Sequence, residues 1–456
     1  MSNSFDGLAS PRRIGAVLTV VLGLIMAVLD GTITNVALPS ISHSLNIADS
    51  ASIWIINAYQ LAIVMLLLPL SSLGERIGYR RIYLCGLVIF SLTSLMCAQA
   101  GSLTELTIAR ILQGVAAAAL MSVSTALIRT IYPKRLLGQG MAINSLVVAS
   151  SLAAGPSLAA AILSIANWPW LFAVNVPIGI IAAIIGYRFL PDNPIKGKQQ
   201  FKFSALILNA VSFGALMFAL MGYAQQFSLS WVLISLAIFI VVGSVFVRSQ
   251  LHLDAPLLPL DLLKLPMFRW SVITSILAFS SQMLAMVALP FYFQRVLHLD
   301  QVQTGLLLTP WPIGTIIMAP LAGRWVNKIH GGLLGGIGMF IFASGLVISA
   351  LLPLGVPLVF VGICMFACGI GFGFFQAPHN HTLISAAPTH RSGGASGMQS
   401  TSRLVGQTSG AALVALLFNL FAGHGTHAAL ISAGTFASFA IITSTYRIKF
   451  AKKSQQ

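Results

Sequence analysis

The sequence predicts an all-α integral membrane protein with fourteen spanning helices, on three observations. First, only 7% of the 456 residues are charged and 57% are hydrophobic, whereas a soluble domain carries about 25% charged residues. A chain so poor in charge cannot coat itself with a surface that water accepts. Second, apolar runs of about 20 residues, enough helix to cross a hydrocarbon core of about 30 Å, recur along the chain. Third, the cations are sorted between those runs. With the N-terminus inside, all 25 Lys and Arg other than Arg110 and Arg295 fall in or beside cytoplasmic segments, the pattern of the positive-inside rule. The sorting predicts that both termini lie in the cytoplasm; the expected location of the multi-pass chain is a bacterial inner (plasma) membrane. It also accounts for the net charge of +16, so no nucleic-acid partner is expected.

The spans follow in order. The first, centred near Met26, starts after Arg12-Arg13 and carries no charge from Ile14 to Leu29. The two arginines mimic a twin-arginine signal, but no A-x-A cleavage site follows, and a retained span is expected. The second and third centre on Met65 and Phe90, with Glu75, Arg76, Arg80 and Arg81 between them. The fourth centres on Ala116 and is followed by Lys134-Arg135; the fifth and sixth centre on Ser151 and Ile180. Pro191 to Lys202, with two Pro and three Lys, reads as a linker into two further spans near Phe213 and Leu236, and His252 to Lys264 reads as the linker out. The last six centre on Phe279, Gly314, Phe342, Phe366, Ala412 and Thr435.

An internal repeat organises these spans. Val36-Ala37-Leu38-Pro39 recurs as Val287-Ala288-Leu289-Pro290, and Pro69-Leu70 as Pro320-Leu321, each 251 residues later. After a one-residue slip, Glu75-Arg76-Ile77 matches Asn327-Lys328-Ile329. Matches at a near-constant offset mark two parallel repeats. The expected domains are an N-terminal six-helix bundle at 1–190, a two-helix insertion with its linkers at 191–266, and a C-terminal six-helix bundle at 267–456. An even insertion keeps the two bundles in one orientation.

Cofactor chemistry is not expected. Cys85, Cys97, Cys364 and Cys368 lie inside spans, where thiols fill apolar helix surface. GIGFG (369–373) and GGLLGGIG (331–338) look like nucleotide loops, yet neither follows a strand in a βαβ unit, so close helix packing is the reading. His379-Asn380-His381 has no carboxylate nearby at ligand spacing, and no metal is assigned. An enzyme would need a paired acid and base or a metal cluster, and neither is present in the sequence pattern.

Of the nine acids, Asp30 alone lies well inside a span. A carboxylate at the centre of a spanning helix costs about 2.5–3.5 kcal/mol, so its presence calls for a function. Counting from Ile14, Asp30 lies about 24 Å from the cytoplasmic edge, and counting from Thr104, Arg110 lies about 9 Å below the outer edge. In a core about 30 Å thick the two charges share a depth. A salt bridge that only ties spans one and four together is the plain alternative. The functional reading is a proton carrier, because burial disfavours a carboxylate's charged form while a neighbouring guanidinium favours it. Thr34 follows Asp30 by one turn, on the same face.

Arg110 is read as the only basic residue deep in a span. Other polar or aromatic residues inside spans are Asn35, Trp54, Tyr59, Asn144, Gln282, Tyr292, Gln294, Trp311, Gln376, His379, Asn380 and Gln407. Singly each is interhelical glue, worth about 0.6 kcal/mol. As a set, Thr34, Asn35, Trp54, Tyr59, Asn144, Gln282, Tyr292, Trp311, Gln376 and Asn380 are the candidates to line a substrate cavity.

Several stretches resemble the major facilitator superfamily, and most closely its fourteen-span drug:H⁺ antiporters. LDGTITNVALP (29–39) resembles the first-span motif of those antiporters, and SSLGERIGYRR (71–81) the G-x-L-x-D-R-x-G-R-R loop between spans two and three. LTIARILQGVAAA (106–118) resembles the fourth-span R-x-x-Q-G motif, AAGPSLAA (153–160) the fifth-span G-P motif, and WPWLFAVNVPIG (168–179) the start of the sixth span. The loop departs from its pattern at Ser71, Glu75 and Tyr79, and the fifth-span motif at Ala159 and Ala160, where a glycine pair is usual. The resemblance implies a fold of two six-helix bundles plus two inserted helices. It implies a gate built from Glu75, Arg76, Gly78, Arg80 and Arg81, with Gln113, Gly114, Gly155 and Pro156 as further motif positions. The charged loop reads independently as a cluster that latches a gate by ion pairs.

The expected function is a proton-coupled exporter of small lipophilic compounds, monovalent cations among them, in which two bundles rock about a central cavity. Asp30 takes the proton, Arg110 tunes that step, and proton and substrate cation compete for Asp30. The expected partners are a small-molecule substrate, protons and membrane lipid; the expected state is a monomer with no cofactor, driven by the proton gradient. A facilitator or exporter of a single endogenous metabolite is the alternative.

Overall fold

The computed structural model describes residues 7–451 except 134–135, 193–202, 225–226, 252–259, 327, 353–355, 389–391 and 422. Most of both expected linkers, Lys134, Arg135, Asn327 and Arg391 therefore lie outside the described residues. Among the described residues every regular element is helical. In a bilayer this follows from backbone chemistry, since a helix satisfies its own N–H and C=O groups where water is absent.

Among the described residues, twelve helices are long and apolar enough to cross a membrane. They account for twelve of the fourteen expected spans. The other two, centred on Ser151 and Phe213, fall in Leu137–Leu163 and Phe203–Ala224. The apolar stretches described there are shorter, Ser150–Leu163 and Ile207–Leu216. Fourteen is reached only by adding these two.

The chain divides into two compact units, Met1–Thr34 with Trp54–Ala210, and Asn35–Ile53 with Val211–Gln456. The first contains most of α1 (Ser10–Ser44), then α3 (Trp54–Ile77), α4 (Tyr79–Gln99), α5 (Leu103–Ile131), α6 (Leu137–Leu163), the short α7 (Trp170–Ala173) and α8 (Asn175–Phe189). The short α2 (Asp49–Ser52) clusters with the second unit.

Small residues set the packing of the first unit. A Cβ on Gly114 of α5 would stand 2.5 Å from the Tyr59 carbonyl oxygen and 2.7 Å from Ala62 Cβ on α3. One on Gly86 of α4 would meet Ala119 Cβ at 3.1 Å. Lipid tails give helices no hydrophobic reason to associate, so close backbone approach and van der Waals contact must do it. Gly114→Ala is therefore expected to force α3 and α5 apart and destabilise the protein by about 1–3 kcal/mol, as overpacking does. Thermal unfolding of the purified variant checks this; a melting point equal to the parent's would refute the tight contact.

The second unit is built from α9 (Phe203–Ala224), α10 (Leu229–Leu251), α11 (Pro266–Phe291), α12 (Gln301–Leu308), α13 (Pro310–Trp325), α14 (Gly331–Leu351), α15 (Leu358–Ser385), α16 (Ser392–Leu420), α17 (Gly425–Tyr446) and α18 (Ile448–Ala451), with the start of α9 counted in the first unit. The two nucleotide-loop look-alikes are packing devices here. Gly369 and Gly373 of α15 abut the backbone of α13 at Trp311 and Thr315, and Gly371 abuts α14 at Phe342. Gly338 of α14 answers with a Cβ position 2.6 Å from the Gly371 oxygen. Cys368 fills the same interface, where a Cβ on Gly345 would lie 2.7 Å from its sulfur.

The repeat has a structural counterpart. Pro39 lies inside α1 and Pro290 inside α11; Pro69 lies inside α3 and Pro320 inside α13. Each pair interrupts the hydrogen-bond ladder of the corresponding helix.

Candidate functional site: a buried carboxylate and its partners

The site is carried by α1, α3, α4, α5 and α8 of the first unit. Ser102 caps α5 by accepting from Glu105 N at 3.2 Å, and Glu105 Oε2 accepts from Gly101 N at 2.9 Å. These two bonds mark where α5 begins, and Arg110 lies two turns further in. Asp30 on α1 is 2% exposed and Arg110 is 0% exposed.

The two form an ion pair, Arg110 Nη1 donating to Asp30 Oδ2. Arg110 Nη1 also donates to Gln113 Oε1 at 2.7 Å, and its Nε to the Ile55 carbonyl at 3.2 Å. Gln113 Nε2 and Asn175 Nδ2 both donate to Asp30 Oδ1 at 3.1 Å. Gln113 is held in turn by Ser94, 2.8 Å from its Nε2. The guanidinium is sandwiched by rings, 4.1 Å from the Tyr59 centroid and 5.5 Å from that of Phe172. Tyr59 is anchored by donating its hydroxyl to the Ala27 carbonyl at 2.6 Å.

Three consequences follow for the expected site residues. Tyr59 and Gln113 belong to the Asp30–Arg110 cluster. Thr34 donates to the backbone carbonyl of Asp30 at 2.8 Å, not to the carboxylate. Both carboxylate oxygens accept hydrogen bonds here, Oδ2 from Arg110 and Oδ1 from the two amides.

Asn175 and Ser94 were not singled out by the sequence. Asn175 stands at the first position of α8, which the expected span boundary treats as an end rather than an interior. The signal available was an amide flanked by apolar residues in LFAVNVPIG. Ser94 gives no such signal, because serine is common in spanning helices.

The other cavity candidates are dispersed. Asn35 is 4% exposed, and Oδ1 of Asn35, Asn144 and Asn380 is buried without a hydrogen-bond partner among the described residues. Trp54 and Gln376 are half-buried, and Gln282 is buried in α11. Tyr292 meets His427 edge-on at 5.2 Å, and Trp311 meets Phe342 at 5.3 Å. These two rings pack within their own unit.

Of the expected gate, Gly78 makes the one-residue turn between α3 and α4 with φ +106, a conformation that side chains with a Cβ rarely adopt. Glu75, Arg76 and Arg81 are exposed. Arg80 reaches past Glu75 to Asp192 at 2.8 Å and lies over the Tyr187 ring at 5.7 Å, tying the start of α4 to the end of α8. The compact loop expected from the sequence is thus opened toward another helix. Gly155, followed by Pro156 within α6, lies against Thr32, two residues from Asp30. Arg110 is not the only deep cation. Arg403 lies inside α16, and Arg447, at the end of α17, is 0% exposed, bonded to Ser271 at 3.1 Å and Ser444 at 2.7 Å.

The chain is 55% identical over 444 residues to the uncharacterized transporter YebQ of Escherichia coli, with 97% of each chain covered. It is 30% identical over 375 residues to the riboflavin transporter RibZ of Clostridioides difficile, covering 82% of this chain and 81% of that one. It is 26% identical over 430 residues to the multidrug efflux pump LfrA of Mycolicibacterium smegmatis, covering 92% and 85%. The sequence pattern of the Major Facilitator Superfamily matches residues 20–411. With twelve apolar helices long enough to span among the described residues, the protein is a membrane transporter rather than an enzyme, and it belongs to the Major Facilitator Superfamily.

Proposed function

We propose that the protein is a proton-coupled exporter of small lipophilic compounds, working by alternating access, with Asp30 as the proton carrier. One observation carries the reading: a membrane-buried carboxylate held by a guanidinium and two amides, in a setting that disfavours any unpaired charge. Protonating Asp30 removes the charge that holds Arg110, while its carbonyl oxygen still accepts from Gln113 and Asn175. The cluster thereby has two arrangements, one for each protonation state, as a coupled transporter requires. On this reading the protein acts as a monomer in the bacterial inner membrane, both termini cytoplasmic, with no cofactor. The likeness to LfrA supports efflux of varied compounds. The likeness to RibZ favours the second reading, transport of a single metabolite.

The test is transport by the purified protein in liposomes with the pH gradient imposed alone. Accumulation of a lipophilic fluorescent compound against its gradient, abolished by a protonophore, is the expected result. Equal rates with and without the pH gradient would make the protein a facilitator.

A further inference from the structure

Arg403 has no counter-charge. No ion pair or hydrogen bond engages its side chain among the described residues, and its Nε is buried without a partner. The contrast with the two other deep guanidinium groups is direct, since Arg110 has Asp30, and Arg447 has Ser271 and Ser444. Among the described residues, the second unit has no acid paired with Arg403. Among its described acids, Asp49 pairs with Arg295 at 3.0 Å, Asp300 caps α12, and Asp261 sits in the turn Leu260–Lys264. None lies in a spanning helix.

The surroundings of Arg403 on α16 are ordered by helix periodicity. Gly406 and Gly410 press on α11, their Cβ positions 2.6 Å from the Ile276 oxygen and 2.5 Å from the Ser280 oxygen. Ser402 donates to Ser275 of the same helix at 3.0 Å. That stripe, 402–406–410, is the packed face. One residue on, Gln399, Arg403 and Gln407 form a second stripe at four-residue spacing, so their side chains are neighbours. All three are half-buried, and no side-chain hydrogen bond engages any of them. A guanidinium and two amides turned to hydrocarbon would be costly. This stripe instead suits a polar ligand that supplies the missing charge.

We infer that Gln399, Arg403 and Gln407 bind the anionic group, a carboxylate or ionised phenol, of the lipophilic substrate. The planar guanidinium fork matches a carboxylate with two parallel hydrogen bonds, and the flanking amides take the oxygen lone pairs that remain. The inference rests on the transport reading above and names its substrate class, replacing the cation expected from Asp30. Anionic lipid headgroups present the same chemistry, and the experiment separates the two.

The full-length protein is placed in nanodiscs of zwitterionic phosphatidylcholine, and binding of 3-hydroxy-2-naphthoate is compared with that of its uncharged amide. The acid is expected to bind about tenfold more tightly or better, the worth of a charged hydrogen-bonded contact. Arg403→Gln should erase the difference, while Arg403→Lys keeps part of it. Gln399→Leu and Gln407→Leu should each weaken the acid more than the amide. An unchanged elution profile of Arg403→Gln, with amide binding retained, separates this from misfolding. Equal binding of acid and amide by the parent, or no binding of either, overturns the assignment. Loss of acid binding in phosphatidylglycerol nanodiscs, with no preference for acid in phosphatidylcholine, gives the stripe to lipid and overturns it too. These assays use no gradient. Acid preference without proton-driven transport would sink the exporter reading alone, and proton-driven transport without acid preference would sink this one alone.

Discussion

Asp30→Asn is expected to abolish accumulation driven by a pH gradient while exchange of substrate down its own gradient persists. An amide neither takes nor gives a proton at any working pH, so a carrier that needs Asp30 has nothing left to couple. The variant should still fold. Its side-chain oxygen can accept from Arg110, and Asn175 can turn its amide to meet the new NH₂. Gln113 cannot turn, because Arg110 holds its oxygen at 2.7 Å and Ser94 its nitrogen at 2.8 Å. One donor therefore faces another, at a cost of about 1–3 kcal/mol. Accumulation and counterflow measured on the same liposomes decide the matter. Undiminished pH-driven accumulation in the Asn variant would remove Asp30 from the mechanism.

Arg110→Ala should be the more damaging substitution for stability. It leaves Asp30 buried at 2% exposure with two amide donors and no cation, a situation that costs about 3–5 kcal/mol. It also empties the space between Tyr59 and Phe172, where a desolvated cation over a ring contributes about 2 kcal/mol. Arg110→Lys is not a mild change, since one ammonium cannot reach Asp30, Gln113 and the Ile55 carbonyl together. The double variant Asp30→Asn/Arg110→Ala should recover part of the loss, because the orphaned charge is gone; residues in one network couple by about 0.5–3 kcal/mol. Thermal unfolding of the singles and the double in detergent measures this. Strictly additive losses would mean that the pair contributes little beyond its separate contacts.

Much of this protein is legible in its sequence because a bilayer imposes one strong coordinate. Apolar run length reports span, cation placement reports side, and residue count reports depth, about 1.5 Å at a time. Depth alone brought Asp30 and Arg110, 80 residues apart in sequence, to one level. The prolines repeated at a fixed offset likewise sit inside corresponding helices, α1 with α11 and α3 with α13. The glycine-rich runs could be assigned to packing because no strand preceded them.

What depth does not report is rotation about the helix axis and the choice of lateral neighbour. Those depend on which side chains interlock, and only the tertiary structure decided them. It put Asn175 of α8 on Asp30 Oδ1, turned Arg80 from Glu75 to Asp192, and sent the Thr34 hydroxyl to the backbone. The same blindness hid Arg403. Read along the chain, it is one more cation near a membrane edge. Only its place on α16, one residue off the face packed against α11 and without an ion pair among the described residues, marks it as a charge still in need of a partner. A sequence lists which charges exist, but compensation of a charge is a relation between helices, and helices meet only in the folded chain.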